Sequence, residues 1–342
     1  MERTELKDIG EFGLINLINN KIKLQNPESL YGIGDDAAVI QSGNDEDVKL
    51  FSTDMLVEGI HFDLSYVPLM HLGYKAIASN VSDIAAMNGI PKQVTIGIAL
   101  SNRFSLEAIE ELYEGMNRAC IDYKVDIVGG DTTSSLSGLV ISIAIVGNAK
   151  KDEVVYRNTA RDKDIICVTG DLGGAYLGLQ VLEREKQTFL ANPEAQPELD
   201  GKDYIIQKQL KPQARMDFIF ELKERGVLPT SMIDISDGLA SELLHIAKAS
   251  NLGAVIYEDK LPIDTITYET AQEFNMDPTT CILNGGEDYE LLFTIKQDDY
   301  EKLRNHPDVT FIGYMKEQEA GVNLITRGGN LAPIKAQGWV HF

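Results

Sequence analysis

Apolar and polar positions along this chain alternate between two periods. The segment VKLFSTDMLV, residues 48–57, gathers β-branched and large apolar residues and reads as a strand. From Leu72 to Asn88 the period lengthens to that of a helix. Ile77, Val81, Ile84 and Ala85 make its apolar stripe, and Gly89 with Pro91 end it. The pattern then predicts a strand at 93–100, a helix at 105–120, a strand at 125–130 and a long strand at 138–149. Around residue 150 the sequence KKDEVVYRNTARDKD turns polar, which divides the chain into domains of residues 1–150 and 151–342.

The second half opens with a strand, DIICVTG, and a glycine-broken turn, DLGGAYLGL, leading into a helix. The stretch from Arg184 to Asp203 is polar and holds two prolines, so it reads as an exposed excursion. MIDISDGLASELLHIAK reads as a strand end, a turn and a helix, and NGGEDYELLFTI as a glycine turn entering a strand. With no repeat and no low-complexity tract, this interleaving predicts α+β or α/β domains.

A length of 342 residues is more than one core usually organises, in keeping with two domains. Acidic residues outnumber basic ones by 53 to 31, for a formal charge of -22. A field of that sign repels phosphate backbones and argues against a nucleic-acid partner. The charged N-terminus has no signal-peptide core, and no apolar run is long enough to span a bilayer, so no membrane role is expected. Cys120, Cys167 and Cys281 show neither metal-ligand spacing nor a disulfide framework, which points to a reducing cytoplasm.

Part of the acidic excess follows a pattern. Five segments deliver aspartate from an apolar element beside glycine or a hydroxyl: GIGDDAAVI (Asp35, Asp36), FSTD (Ser52, Thr53, Asp54), NVSDIAAMNG (Asp83), VGGDTTSS (Asp131) and IDISDG (Asp234, Asp237). Singly, each is most simply a turn or a helix cap. Together they place carboxylates next to elements that should be buried, where an unpaired charge must find a cation or take up a proton. One like-charge pair at 4 Å costs about 4 kcal/mol at an effective dielectric of 20. Divalent ions remove that cost, and oxygen-only donors select Mg²⁺ or Mn²⁺ over Zn²⁺. Such sites complete their shells with water and substrate phosphates, so phosphate chemistry leads. The chain has no GxxxxGK[ST] loop, no kinase HRD or DFG set, and no third glycine to make GIGDDA a dinucleotide fingerprint.

GIGDDAAVI, STDMLVEGIHF, SDIAAMNGIPK, GGDTT, DISDGL and GGEDYELLF, in this order, resemble the thiamine-monophosphate kinases of the aminoimidazole ribonucleotide synthetase (PurM-like) superfamily. The resemblance runs from Gly10–Phe12 to the C-terminal GWVHF. It implies an α+β, two-domain PurM-like fold, an N-terminal sheet that pairs across a homodimer, and a C-terminal α/β sandwich domain. It also implies Mg²⁺-dependent transfer from ATP to thiamine monophosphate, giving thiamine diphosphate. By similarity, Asp35, Ser52, Thr53, Asp54, Asp83, Asp131, Asp234 and Asp237 would bind several magnesium ions, with Asp54 and Asp131 catalytic. Gly130, Asp131, Arg157 and Ser236 would contact ATP, with Tyr113 a further candidate. His61, Glu287 and Trp339 would hold the acceptor. The chain departs from the family pattern at Gln213, where proline is common, and in a longer polar stretch from Glu183 to Asp203.

The chemistry suits such a site. A phosphate monoester is already anionic near pH 7, with a second pKa of about 6, so no base is needed to create the nucleophile. Charge repulsion between two anions is the obstacle, and positioned cations relieve it. Direct in-line transfer without a phosphoenzyme is expected. Two alternatives are another ATP-dependent synthetase of the superfamily and a non-catalytic divalent-cation or polyphosphate-binding protein. A selenide-using relative would need a reactive Cys near the N-terminus, whereas the first here is Cys120, and no EF-hand loop supports simple Ca²⁺ binding.

Overall fold

A computed structural model describes residues 6–337. Trp339, one of the expected acceptor residues, lies outside the described residues.

The first half builds a six-stranded sheet from β1 (Ser29–Tyr31), β2 (Ala38–Gln41), β3 (Asp47–Val57), β4 (Ile90–Leu100), β5 (Asp126–Ser134) and β6 (Leu139–Lys150). Their order is β1-β2-β3-β6-β4-β5, antiparallel except for the parallel β4–β5 pair. Helices α1 (Leu6–Asn19), α2 (Leu69–Ala86) and α3 (Leu106–Tyr123) accompany it. The expected strands and both expected helices of this half are present, with α2 starting three residues earlier than its apolar stripe suggests.

The period-2 pattern of β6 explains its place: Leu139, Ile141, Ile143 and Ile145 are buried on one face, against α2. Helix α2 is buried along almost its whole length. It approaches α3 so closely that a Cβ at Gly73 would lie 2.0 Å from the Leu112 carbonyl oxygen, so only glycine fits there. Asn88, in the left-handed region at φ 57, turns the chain out of α2.

The second half forms a seven-stranded sheet ordered β13-β12-β9-β11-β7-β10-β8. Its strands are β7 (Ile165–Thr169), β8 (Ser231–Asp234), β9 (Leu252–Tyr257), β10 (Leu291–Ile295), β11 (Val309–Glu317), β12 (Val322–Ile325) and β13 (Leu331–Pro333). The helices relevant to the site are α4 (Gly174–Ala191), α5 (Asp203–Leu210), α6 (Met216–Glu224) and α7 (Leu239–Ala249). IICVT and LLFTI are apolar on consecutive residues because both faces of this sheet are covered. Ile166, Val168 and Leu292 pack with Leu239, Leu243 and Ile246 of α7, while Cys167 and Phe293 join Phe218 and Leu222 of α6. The second of these cores is continuous with that of the first sheet, so the two halves share buried surface.

One expectation is met only in part. Residues 184–191 are the last two turns of α4, although 187–191 are exposed as expected; the stretch from Asn192 to Lys202 lacks a helix or strand. The helix is held by side-chain pairs that a polarity reading overlooks, with Arg184 bonded to Glu185 and Glu273, and Lys186 to Asp63.

Candidate active site

A cavity of about 1010 Å³ lies between the two halves. One wall comes from β3 and the loop after it, the floor from α2, and the facing wall from α4, α5 and the turns at 236–237 and 286–289.

At one end the structure gathers carboxylates from distant parts of the sequence. Asp36 lies in the bend at 33–37, Asp54 on β3, Asp83 on α2, and Asp234 ends β8. Oxygens of Asp36, Asp83 and Asp234 lie within 4.8 Å of one another. Two hydroxyls tether the cluster: Ser52 Oγ donates to Asp83 Oδ2 at 2.5 Å, and Ser82 Oγ donates across the domain boundary to Asp234 Oδ2 at 2.6 Å. Arg157 supplies a cation at the edge, with Nη2 donating to Asp36 Oδ1 at 2.5 Å and the backbone N–H to Asp35 Oδ2 at 3.1 Å.

One guanidinium cannot balance so many acids. Burial and then the Asp36 charge push Asp35 up to about 7 and Asp54 up to about 6. Burial likewise raises Asp234 to about 7, again with Asp36 as the leading charge, and holds Asp83 well above the carboxylate range beside Asp54 and Asp234. Asp36 Oδ2 is buried without a hydrogen-bond partner among the described residues. An oxygen-only, crowded and under-neutralised group of this kind could hold a divalent hard ion.

At the other end, Lys75 Nζ lies 2.7 Å from Glu287 Oε1, and Gln209 Nε2 donates to Glu287 Oε2 at 2.7 Å. Lys75, Ser79 and Asp83, four residues apart on α2, all face the cavity, so one helix stripe runs from this cluster to the carboxylates. His61 also faces the cavity, and its Nδ1 accepts the Val57 N–H at 2.9 Å. In the neutral ring the proton is then on Nε2.

The sequence-expected residues divide into three groups. Thr53, Asp54, His61, Asp83, Asp234, Ser236, Asp237 and Glu287 line the cavity. Asp35, Ser52 and Arg157 do not, but bond to the cluster or its neighbours. Tyr113, Gly130 and Asp131 are not on the cavity wall; Tyr113 is on α3, while Gly130 and Asp131 are exposed on the edge strand β5. A Cβ at Gly130 would lie 2.0 Å from the Ile96 carbonyl oxygen, so close strand packing accounts for that glycine. Asp36, Lys75 and Gln209 are missing from the sequence-based set. The doubled acid at 35–36 and the four-residue steps from Lys75 through Ser79 to Asp83 are signals for the first two, and nothing in the sequence marks Gln209.

Comparison with known proteins adds an independent line. Residues 34–149 match the family model for the N-terminal domain of AIR synthase related proteins, and residues 162–322 that for their C-terminal domain. The thiamine-monophosphate kinase of Bacillus subtilis (strain 168) is 32% identical over 339 residues, covering 97% of this chain and 99% of the relative. That of Aquifex aeolicus (strain VF5) is 35% identical over 339 residues, covering 98% and 99%. The solved structure of AaThiL complexed with AMPPCP and TMP superposes with a TM-score of 0.84 at 34% identity, covering all of both chains. The chain thus has the two-domain α+β fold of the AIR synthase related proteins. By full-length identity above 30% to several of its members, it belongs to the thiamine-monophosphate kinase family.

Proposed function

We propose that this chain is a kinase that transfers the terminal phosphoryl group of ATP to thiamine monophosphate, forming thiamine diphosphate. The observation that carries this reading is the buried carboxylate cluster at one end of a cavity large enough for two substrates, at the upper end of the usual range for small-molecule sites. Its full-length similarity to a structure solved with AMPPCP and TMP supports the same substrates.

Asp36, Asp54, Asp83 and Asp234, with Asp35, Ser52, Thr53 and Asp237 around them, would hold magnesium. Magnesium bound there supplies positive charge that lets two phosphorylated molecules approach. The chain's own part is positioning. Ser52 and Ser82 fix the cluster's carboxylates, and Arg157 balances the outer pair. His61, its ring oriented by the Val57 N–H on Nδ1, lines the cavity as an acceptor candidate. Ser236 on the cavity wall and Arg157 beside the cluster are the nucleotide candidates that this cavity supports. Gly130, Asp131 and Tyr113 lie off its wall and stay nucleotide candidates on the family resemblance alone, with Asp131 also a metal and catalytic candidate and Trp339 an acceptor candidate. In-line transfer requires no base, because the acceptor oxygen is already anionic.

A coupled ADP-release assay with thiamine monophosphate, thiamine and an aminoimidazole ribonucleotide precursor tests the reading. Turnover is expected with the first alone, and His61→Ala should raise its KM about tenfold or more while leaving the KM for ATP in place. Turnover with the precursor would favour the synthetase alternative, and magnesium binding without turnover a binding protein.

We also infer a homodimer. Strand β5 is a sheet edge on which every residue is exposed, including Val128 at 60% and Ile127 at 38%. An uncovered apolar edge is a template for another strand. Light scattering should give twice the chain mass, falling to one chain in Val128→Lys; a monomeric wild type would refute the inference.

A further inference from the structure

The turn that leads into β10 places Glu287 and Tyr289 on the cavity wall. Both residues lie in the left-handed region, at φ 66 and φ 52. That conformation is costly for a bulky tyrosine, and a fold keeps such strain only where other contacts over-determine it. Here they do. The Glu287 N–H bonds to the Ser236 carbonyl at 2.7 Å, and the Tyr289 N–H to the Ile235 carbonyl at 2.9 Å. Between them, buried Asp288 accepts the Gly173 and Ala175 N–H groups at 2.7 and 3.2 Å. Those two donors open α4, so the turn is fastened to a helix N-terminus.

What the strain delivers is the tyrosine. Tyr289 is 8% exposed, and its hydroxyl has no hydrogen-bond partner among the described residues. Nor is it one of the partnerless atoms sealed inside the protein, so this hydroxyl opens on the cavity. The charges acting on it are all acidic: Glu287 first, then Asp54, Asp234 and Asp83. The phenol therefore sits between the Glu287 end of the cavity and the carboxylate cluster. Burial, and then these charges, hold its proton far above the ordinary phenol range, so at neutral pH it is a donor and never a base. A donor that faces acids and bonds none of them is matched by an acceptor atom that enters the cavity.

We propose that Tyr289 is a further substrate-contacting residue, its hydroxyl donating a hydrogen bond to a phosphate oxygen of the acceptor. The assignment rests on the acceptor reading given above. It favours the acceptor's phosphate over the nucleotide's because Glu287, two residues away on the same turn, is the acid that acts most strongly on the phenol. Holding one phosphate oxygen turns another toward the incoming phosphoryl group. That oxygen bonds the transferred phosphorus while the bridging bond to ADP breaks, its electron pair leaving on ADP. The tyrosine keeps its proton throughout.

The test is Tyr289→Phe, which deletes only this hydroxyl. Since the hydroxyl bonds to no described part of the chain, the unfolding midpoint in EDTA should stay within about 2 °C of wild type. The kcat/KM for thiamine monophosphate should fall about 10- to 100-fold, the usual effect of removing a donor from a charged partner. The KM for ATP should not change, and thiamine, which has no phosphate, should inhibit both proteins equally. A fall of less than about tenfold would overturn the assignment. So would weaker inhibition of the variant by thiamine, which would move the hydroxyl to the rings, or a loss confined to the KM for ATP, which would move it to the nucleotide. A lowered midpoint would make the hydroxyl part of the fold instead. Absence of thiamine monophosphate turnover in wild type would overturn the acceptor reading, and this assignment with it.

Discussion

Asp83→Asn is expected to stop turnover and, in the same protein, make the metal-free form harder to unfold. Asp83 is enclosed by like charges: Asp54, Asp234 and Asp36 all raise it beyond what burial alone does. Removing its charge relieves repulsion, and asparagine still offers an oxygen to the Ser52 hydroxyl that bonds there at 2.5 Å. A gain of about 1–2 kcal/mol is typical when a strained functional group is replaced. Phosphoryl transfer, in contrast, loses a ligand for the charge that balances two anionic substrates, and a loss of at least about a thousandfold follows. ADP release and thermal unfolding in EDTA measure the two effects on one sample. Turnover within tenfold of wild type, or a lowered unfolding midpoint, would contradict the role given to Asp83.

The second large effect couples pH to magnesium. Asp35 and Asp234 titrate near 7 in the folded chain, whereas an unfolded aspartate titrates near 4. Between those values the folded state binds more protons than the unfolded one, so stability must fall as pH rises through about 7. Buried His245, depressed to about 4 by burial and then by the charge of Arg157, acts oppositely, but only below the ordinary histidine range near 6.5. The clean window is therefore pH 6.5 to 8. In EDTA the unfolding midpoint should drop across it. Millimolar magnesium at pH 8 should restore the loss and add about 5 °C or more, the expected effect of a ligand well above its Kd on a chain of this size. A midpoint that rises with pH in EDTA, or ignores magnesium at pH 8, would remove the cluster as a metal site.

Much of the fold was legible because its elements carry clear periods. The long strand β6 alternates cleanly, and α2 shows its apolar stripe. The last turns of α4 were misread because their residues are polar; that helix is fixed by ion pairs reaching Asp63 and Glu273, which no local pattern reveals. Strands β9, β11, β12 and β13 went unmarked, since order in a mixed sheet is set by long-range pairing. At the site, aspartates beside glycine or a hydroxyl signalled the cluster, and Asp54, Asp83 and Asp234 do meet at its end of the cavity. Asp36 was passed over for its neighbour because adjacent acids cannot be ranked from sequence: both Asp35 and Asp36 reach Arg157, and only the fold shows that Asp36 also meets Asp83 and Asp234. Gln209 was invisible for another reason: a glutamine on a short helix signifies nothing until its amide is seen to hold Glu287.

The stripe on α2 also bears on how this protein can change. A rigid helix that carries a cation at Lys75 and an acid at Asp83, two turns on, keeps the separation of these two functional groups constant, whatever happens to the loops. Point substitutions at either position can retune affinity or chemistry, but they cannot lengthen the span. Evolving or engineering this scaffold toward a much shorter or longer molecule would require inserting or deleting helical turns. Each such change would rotate the buried face out of register with both sheets, so substrate length is an inherited constant of the architecture.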